Sequence, residues 1–400
     1  MLAMNPSILT LFWHILSHKH YFCHMQLYLD QIGLGVFIVF CTVAAIQVSY
    51  YIFLFRRLAV YKPKNSVDNT NEPISVIICA RDEADNLINN LPGVMFQEYP
   101  SKHEIIVVND NSTDQSKYII EEFQKAFTDK LKHLELKQEA KMIIGKKFPL
   151  SMGLKSAKFE TVLLTDADCV PATEFWVRQF QNTYTEGIEI VLGYGAFHKR
   201  PGVLNKLIRF ETFHSALQYF SYALAGIPYM GVGRNLSYKR ELFMKNKGFS
   251  SINMIPSGDD DLFINKVATK KNTAIVIDPA SHTLSKAKET WKDWMRQKYR
   301  HYTTTKYYKP KHKFWLGLYS FSFGLLFPTF IVAAILFNWW IALSVLAFRW
   351  LIQGIIYFKT MKKLNESDLF PFYILLDLWM FVYYIVAFPS FFKKPKQKWD

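Results

Sequence analysis

The sequence predicts an α/β domain set between apolar, membrane-length segments, and three observations predict it. From residue 74 onward, apolar strand-length runs recur, each closing in a polar or acidic cluster, with helix-like stretches between them. Long apolar blocks stand before and after that region. Between them, TVLLTDADCVP at 161–171 ends a β-branched, apolar run in Asp166-Ala167-Asp168, where a buried strand stops.

Composition supports this division. The chain has 400 residues, enough for one large or two medium domains. Hydrophobic residues make up 50% and aromatics 16%, high for a soluble enzyme, and their clustering in blocks points to membrane spans rather than one very apolar core. The net charge is +15. Much of the basic excess flanks the apolar blocks: Arg56, Arg57, Lys62 and Lys64 after the first, then clusters at 306–313, 359–363 and 393–398. Such clusters are attracted to anionic lipid surfaces, and no helix-turn-helix, zinc-finger or RNA-recognition pattern accompanies them. The expected partner is a membrane, not nucleic acid. Cysteines at 23, 41, 79 and 169 lack disulfide-framework or zinc-ligand spacing and read as small apolar residues.

Taken in order, residues 1–32 form an N-terminal extension holding His14, His18, His20 and His24. Met25 inside it opens a more ordinary membrane-protein start, so a start assigned too early is an alternative. Residues 33–55 carry no charge and suffice for a transmembrane helix. Arg56-Arg57 follow at once, which places that end, and the domain after it, on the cytoplasmic side. Residues 56–73 read as a polar linker. Strands are expected at Ser75–Cys79, Glu104–Asn109, Thr161–Thr165, Glu189–Gly193 and Thr273–Asp278, with ligands binding outside their C-terminal ends. The domain runs over 74–313 and closes on WKDWMRQKYRHYTTTKYYK, a basic-aromatic stretch suited to an interface helix. Residues 314–392 hold the C-terminal apolar blocks. Those at 316–337 and 339–358, parted by Asn338, read as a tight hairpin of spans. Arg349 interrupts the second, and a charge there is expected to face protein or water. The third, at 370–392, contains Pro371, Asp377 and Pro389. A full crossing would put the basic tail 393–400 outside, against the charge rule, so a re-entrant or interfacial segment is the alternative; two to three C-terminal membrane segments result.

The chemistry-bearing clusters lie at the strand exits. Side chains at i and i+2 on a strand face the same way, so Asp166 and Asp168 can share a cation. Mg²⁺ or Mn²⁺ is usually held by one or two carboxylates plus substrate phosphates, which suggests a metal–diphosphate site and a nucleotide-activated substrate. Arg81, Asp82 and Glu83 follow the first strand. Asp110 ends the second, where a carboxylate can accept from a nucleobase N–H, as acidic side chains do on base edges. Turn formers are expected at both exits on structural grounds alone. Gly145-Lys146-Lys147 offers point charges for phosphate oxygens, Lys147 being the chosen one. In Gly258-Asp259-Asp260-Asp261, one or two aspartates would suffice as helix caps. Mutual repulsion among three raises at least one pKa, and a carboxylate so perturbed suits a general base. Gln297 and Arg300, at i and i+3, can present amide and guanidinium together to a diphosphate or a sugar.

The ordered set SVIICARDEA, VVNDNSTD, GKK, TDAD, GDDD and QKYRH resembles the membrane-bound glycosyltransferases of family 2, over roughly 74–302 plus the flanking spans. The resemblance implies a GT-A fold. It implies that Arg81, Asp82, Glu83 and Asp110 line the nucleotide pocket and that Asp166 and Asp168 hold Mg²⁺ or Mn²⁺ on the donor diphosphate. The second residue of Asp259-Asp260 would be the base, with Asp259 or Asp261 as alternatives if the register slips. Gln297 and Arg300 match the first and fourth positions of QxxRW, a pattern of polysaccharide synthases and ceramide glucosyltransferases. His301 replaces its tryptophan, which argues against processive synthesis. Arg234 and Asn235 lie in a segment resembling the one near the acceptor, without assigned roles.

The expectation is therefore an inverting, metal-dependent glycosyltransferase anchored in the cell membrane. Its donor would be a nucleotide-sugar, UDP-linked by family habit, and its acceptor a lipid or lipid-linked glycan. The alternatives are a processive polysaccharide synthase and, of another class, an inactive membrane-bound binding scaffold.

Overall fold

The computed structural model describes residues 30–63, 71–137 and 145–389. The N-terminal histidines and the basic tail lie outside the described residues. The chain divides into two compact units, residues up to 52 with 317–354, and residues 53–316 with those from 355 on.

Among the described residues, the larger unit has ten strands: β1 (Ile74–Ala80), β2 (His103–Asp110), β3 (Leu131–Leu136), β4 (Thr161–Asp166), β5 (Cys169–Pro171), β6 (Ile190–Leu192), β7 (Gly195–Phe197), β8 (Leu236–Lys239), β9 (Thr273–Ile275) and β10 (Thr283–Ser285). Seven form one sheet in the order β3-β2-β1-β4-β8-β6-β9, and β5-β10-β7 form a smaller one. Strands β1 to β4 run parallel, and β8 is antiparallel to β4 and β6. β1 and β2 are covered on both faces, which is why their sequences are near-continuous apolar runs. Strand order reverses between β1 and β4, where open α/β sheets form their ligand crevice. Asp166 is paired with Cys79 there.

Helix α1 (Asp30–Val60) precedes the sheet. It continues through the expected linker start, because Leu58 and Ala59 are buried; residues 64–70 of that linker lie outside the described set. α2 (Ala84–Met95) and α3 (Ser116–Ala126) follow β1 and β2, and α4 (Lys147–Ser156) precedes β4. α4 lies so close to the sheet that a Cβ on Gly153 would stand 2.7 Å from the Ile77 side chain. α5 (Val203–Leu224), α6 (Asp261–Val267) and α7 (Trp291–Tyr302) complete this part. α7 buries its aromatic face against protein: Trp294 stacks on Trp379 and Tyr383 with centroids 5.8 and 5.1 Å away. Both rings belong to the last helix described, Tyr373–Ala387.

A buried ion cluster ties α5 to the segment before that helix. Arg209 is 1% exposed. Its Nε donates to Glu366 at 3.0 Å and its two terminal nitrogens reach Asp368 at 2.8 and 2.6 Å. Tyr194 donates to the same Glu366 at 3.1 Å. Removing one partner leaves an uncompensated buried charge, so Arg209→Ala is expected to cost about 3–5 kcal/mol. Thermal unfolding of the detergent-purified chain checks this; an unchanged midpoint would mean that Glu366 finds water instead.

Among the described residues, three helical stretches are long and apolar enough to cross a membrane: Asp30–Val60, Pro310–Lys363 and Ser367–Ala387. Pro310–Ala333 passes into Trp339–Lys363 through a π-helical turn at Ala334–Asn338, which lies in the smaller unit. The stretch folds back there. Arg349 lies 5.6 Å from the ring of Phe323, whereas on a straight helix those positions stand about 39 Å apart. Asn338 caps the returning arm, accepting from the N–H groups of Trp340 and Ile341 at 3.0 and 3.1 Å. Arg349 itself is fully buried, donates to Gln353 at 2.7 Å and lies over Tyr51, so the charge inside this apolar stretch faces protein.

Candidate active site

Asp166 is the last residue of β4, and Asp168 lies in the two-residue turn that leads into β5. The carboxylates converge through this turn rather than through the pleat of one strand. With the Cys169 thiol, their ligand atoms all lie within 4.8 Å of one another. Two carboxylates at this separation fit Mg²⁺ or Mn²⁺, which take oxygen ligands. The thiol is a poor ligand as it stands: burial and the two aspartates push its pKa well up, and it is paired with Asp168 at 3.2 Å. Burial opposes the Asp166 charge, yet the Lys146 ammonium bonded to it holds its pKa below the ordinary carboxylate value. Asp168, which lacks the bond to that lysine, is raised by burial and then by Asp166.

The lysine at this site is Lys146, not Lys147. Lys147 opens α4 on the same face as Leu150 and Leu154, and all three are buried. Its ammonium donates to the carbonyls of Ile255 and Ser257, the latter at 2.7 Å. Lys147 therefore anchors the loop before the aspartate triplet and is not disposed toward phosphate. Gly145 seats the same loop: its φ is +83° and a Cβ there would stand 2.4 Å from the Pro256 carbonyl. Helical spacing from Lys147 carried the signal that separates the two lysines.

The exits of β1 and β2 are stitched together. Asp82, at φ +54°, accepts from the Thr113 N–H at 2.6 Å and from its hydroxyl at 3.1 Å. Its own N–H donates to Ser112 at 3.0 Å. The Asp82 side chain is thus occupied in shaping the loop, the structural role expected of turn formers at a strand exit. Glu83 accepts from Asn86 at 2.5 Å; burial first, then Asp168 and Asp166, raise its pKa. Arg81 is exposed, and Asp110 is 1% exposed at the end of β2. A hollow of about 360 Å³ is lined by Asp82 to Asn86 with Asp114 and Gln115.

Asp260 caps α6, and its two oxygens accept from the N–H groups of Asp261 and Gly233 at 2.8 and 2.7 Å. Burial, then Asp259 and Asp261, push its pKa up to about 7. The Gly233-Arg234 backbone joins this carboxylate to the acidic pair: the Arg234 carbonyl accepts from Thr165, beside Asp166, at 3.1 Å. The Arg234 guanidinium donates to Ser285 at 2.7 Å and to the Gly195 carbonyl at 2.8 Å, and it lies over Phe197. It lowers the pKa of both Asp166 and Asp168. Asn235 is internal, accepting from Trp176 and donating to the carbonyls of Tyr194 and Ser281, which marks it as structural. On α7, Gln297 is half-buried and Arg300 exposed. Arg300 acts on the pair through its field, lowering Asp166.

Comparison with known proteins follows this geometry. A family model described as Glycosyl transferase family 2 matches residues 75–245, and one described as Glycosyl transferase family group 2 matches 161–390. A poly-beta-1,6-N-acetyl-D-glucosamine synthase of Staphylococcus epidermidis is 31% identical over 169 residues, which are 40% of this chain and 38% of that protein. A protein called "Probable glycosyltransferase YdaM" of Bacillus subtilis is 26% identical over 287 residues, 67% of this chain and 65% of that one. The chain thus spans less than two thirds of either relative's length. Among solved structures, the mannosyltransferase PcManGT of Pyrobaculum calidifontis, in complex with GDP-Man and Mn²⁺, aligns with a TM-score of 0.56 at 19% identity. The alignment covers 88% of this chain and 99% of that one. That likeness is one of fold.

Proposed function

Because the chain belongs to glycosyl transferase family group 2, we propose that it moves one sugar, with inversion, from a nucleotide-sugar to a lipid or lipid-linked glycan at the cytoplasmic face of a membrane. Residues 74–313 are the catalytic domain in this reading. The observation that carries it is a carboxylate with a pKa near 7, Asp260, tied through Gly233 and Arg234 to the strand end that bears Asp166 and Asp168.

Asp166 and Asp168 would hold a divalent cation, whose chemistry there is Lewis-acid stabilisation of the leaving diphosphate. Asp110, with Arg81 and Glu83 at the neighbouring exit, receives the nucleoside. Asp260 takes the proton of the acceptor hydroxyl as that oxygen attacks the anomeric carbon from the face opposite the diphosphate. The C–O bond to the acceptor forms as the bond to the diphosphate breaks, and one base suffices for this single displacement. Gln297 and Arg300 face the sugar-diphosphate from α7. Arg56-Arg57 after the first span support the cytoplasmic placement.

A processive synthase is the second reading, favoured by the likeness to a staphylococcal protein named as a polysaccharide synthase. Detergent-purified protein is tested with UDP-GlcNAc, UDP-glucose and GDP-mannose in native lipid extract, with Mn²⁺, Mg²⁺ or EDTA. Nucleotide release with one donor, abolished by EDTA, is expected, together with a product carrying one added sugar; a ladder of lengths would establish the synthase instead. Failure to turn over or bind any donor overturns the transferase reading.

A further inference from the structure

Asp260 has a chemical role in the reading above, and its neighbour Asp261 has none. Asp261 is 7% exposed. One of its oxygens accepts from the Thr304 hydroxyl at 2.5 Å and from the Tyr308 hydroxyl at 2.7 Å. The other accepts from the Leu262 N–H at 2.8 Å. Thr304 and Tyr308 are themselves buried, at 1% and 6% exposure. One turn along α6, Asn265 repeats the connection. Its carbonyl oxygen accepts from the Lys309 N–H at 3.0 Å, and its amide donates to His312 Nδ1 at 2.9 Å. The whole of α6, which Asp260 caps, is therefore bound to residues 304–312. That segment links α7, the bearer of Gln297 and Arg300, to the apolar helix that begins at Pro310.

We propose that Asp261 is a positioning residue. Through Thr304 and Tyr308 it fixes the Asp260 carboxylate to the α7–Pro310 connection, so the base is aligned only while that connection is in place. This rests on Asp260 being the base. Burial raises the Asp261 pKa, and the Thr304 and Tyr308 hydroxyls, by donating to the carboxylate, oppose that rise and favour a negative charge beside Asp260. The other groups that face Asp260 are Asp259 in its own turn, the Gly233 N–H before β8, Lys147 of α4, Tyr238 of β8 and Tyr308. Of these only Tyr308 donates to the Asp261 carboxylate, so Thr304→Val opens the latch without altering any of them.

The test uses the full-length, detergent-purified chain carrying Thr304→Val, Tyr308→Phe or both, with Thr304→Ser as the variant that keeps the donor. Hydrogen–deuterium exchange of the 258–267 peptide, which needs no substrate, is expected to quicken in Thr304→Val and Tyr308→Phe and to stay at the parental rate in Thr304→Ser. With whichever donor of the panel is turned over, kcat should fall about tenfold while donor KM stays within about twofold, as for a misplaced base. The acid limb of kcat should move to lower pH, because an Asp261 deprived of its donors takes up a proton and stops repelling the Asp260 charge. Unchanged exchange together with an unmoved acid limb overturns the latch. So does a loss of donor binding equal to the loss of rate, the mark of general collapse. If the parent protein turns over no donor, the transferase reading fails, and the exchange measurement alone decides the latch.

Discussion

Asp260→Asn is expected to remove sugar transfer while nucleotide and metal binding persist. The substitution keeps the shape of the cap. One oxygen can still accept from Gly233 or Asp261, and the lost acceptor costs about 1 kcal/mol of stability, too little to unfold the domain. What disappears is the site for the acceptor's proton, and general bases of this kind contribute about 10²- to 10⁴-fold. The wild-type pH profile tests the same assignment independently. Asp260 works only as a carboxylate. Burial and its two aspartate neighbours raise its pKa to about 7, so its protonated, inactive form dominates below that pH. kcat should therefore climb through about pH 7 and level off above it. An acid limb in the ordinary carboxylate range, or more than about a tenth of the activity left in Asp260→Asn, would remove Asp260 from the base role.

The parts of this molecule legible in its sequence are those where one physical demand dominates. β1, β2 and β4 are buried on both faces, so each had to be an apolar run, and their starts and ends fall within one residue of expectation. The fold-back at Asn338 was legible because two spans need a polar turn between them. β3 was not, since only Leu131 and Leu136 of its six residues are buried at the sheet edge and LKHLEL carries no continuous apolar signal. β5, β7, β8 and β10 have three or four residues each, too few for any period to show. Strand pleat would set Asp166 and Asp168 on one face of a single strand, whereas a turn after β4 brings the two carboxylates together. The base cluster was ambiguous for a related reason: three adjacent aspartates look alike in a sequence. Contacts 27 and 43 positions away separate them, Gly233 holding Asp260 and Thr304 holding Asp261.

The metal-side prediction distinguishes residues that the acidic pattern leaves equivalent. Asp168→Asn should weaken Mn²⁺ binding by at least about a hundredfold, since at an effective dielectric of about 20 a unit charge 4 Å away is worth about 4 kcal/mol. Resolvation returns part of that. Asp166→Asn should cost metal affinity and stability together, because it strands the Lys146 ammonium, which is bonded to Asp166. Lys146→Met should act in the opposite sense. That ammonium competes with a cation for the Asp166 carboxylate and adds a repelling charge, so without it Mn²⁺ should bind more tightly in the absence of nucleotide. Titration by Mn²⁺ paramagnetic resonance on the three variants reads all of this without turnover. Weaker binding in Lys146→Met would mean that the lysine organises the pair for the metal rather than standing in its place, and equal binding in Asp168→Asn would exclude Asp168 as a ligand.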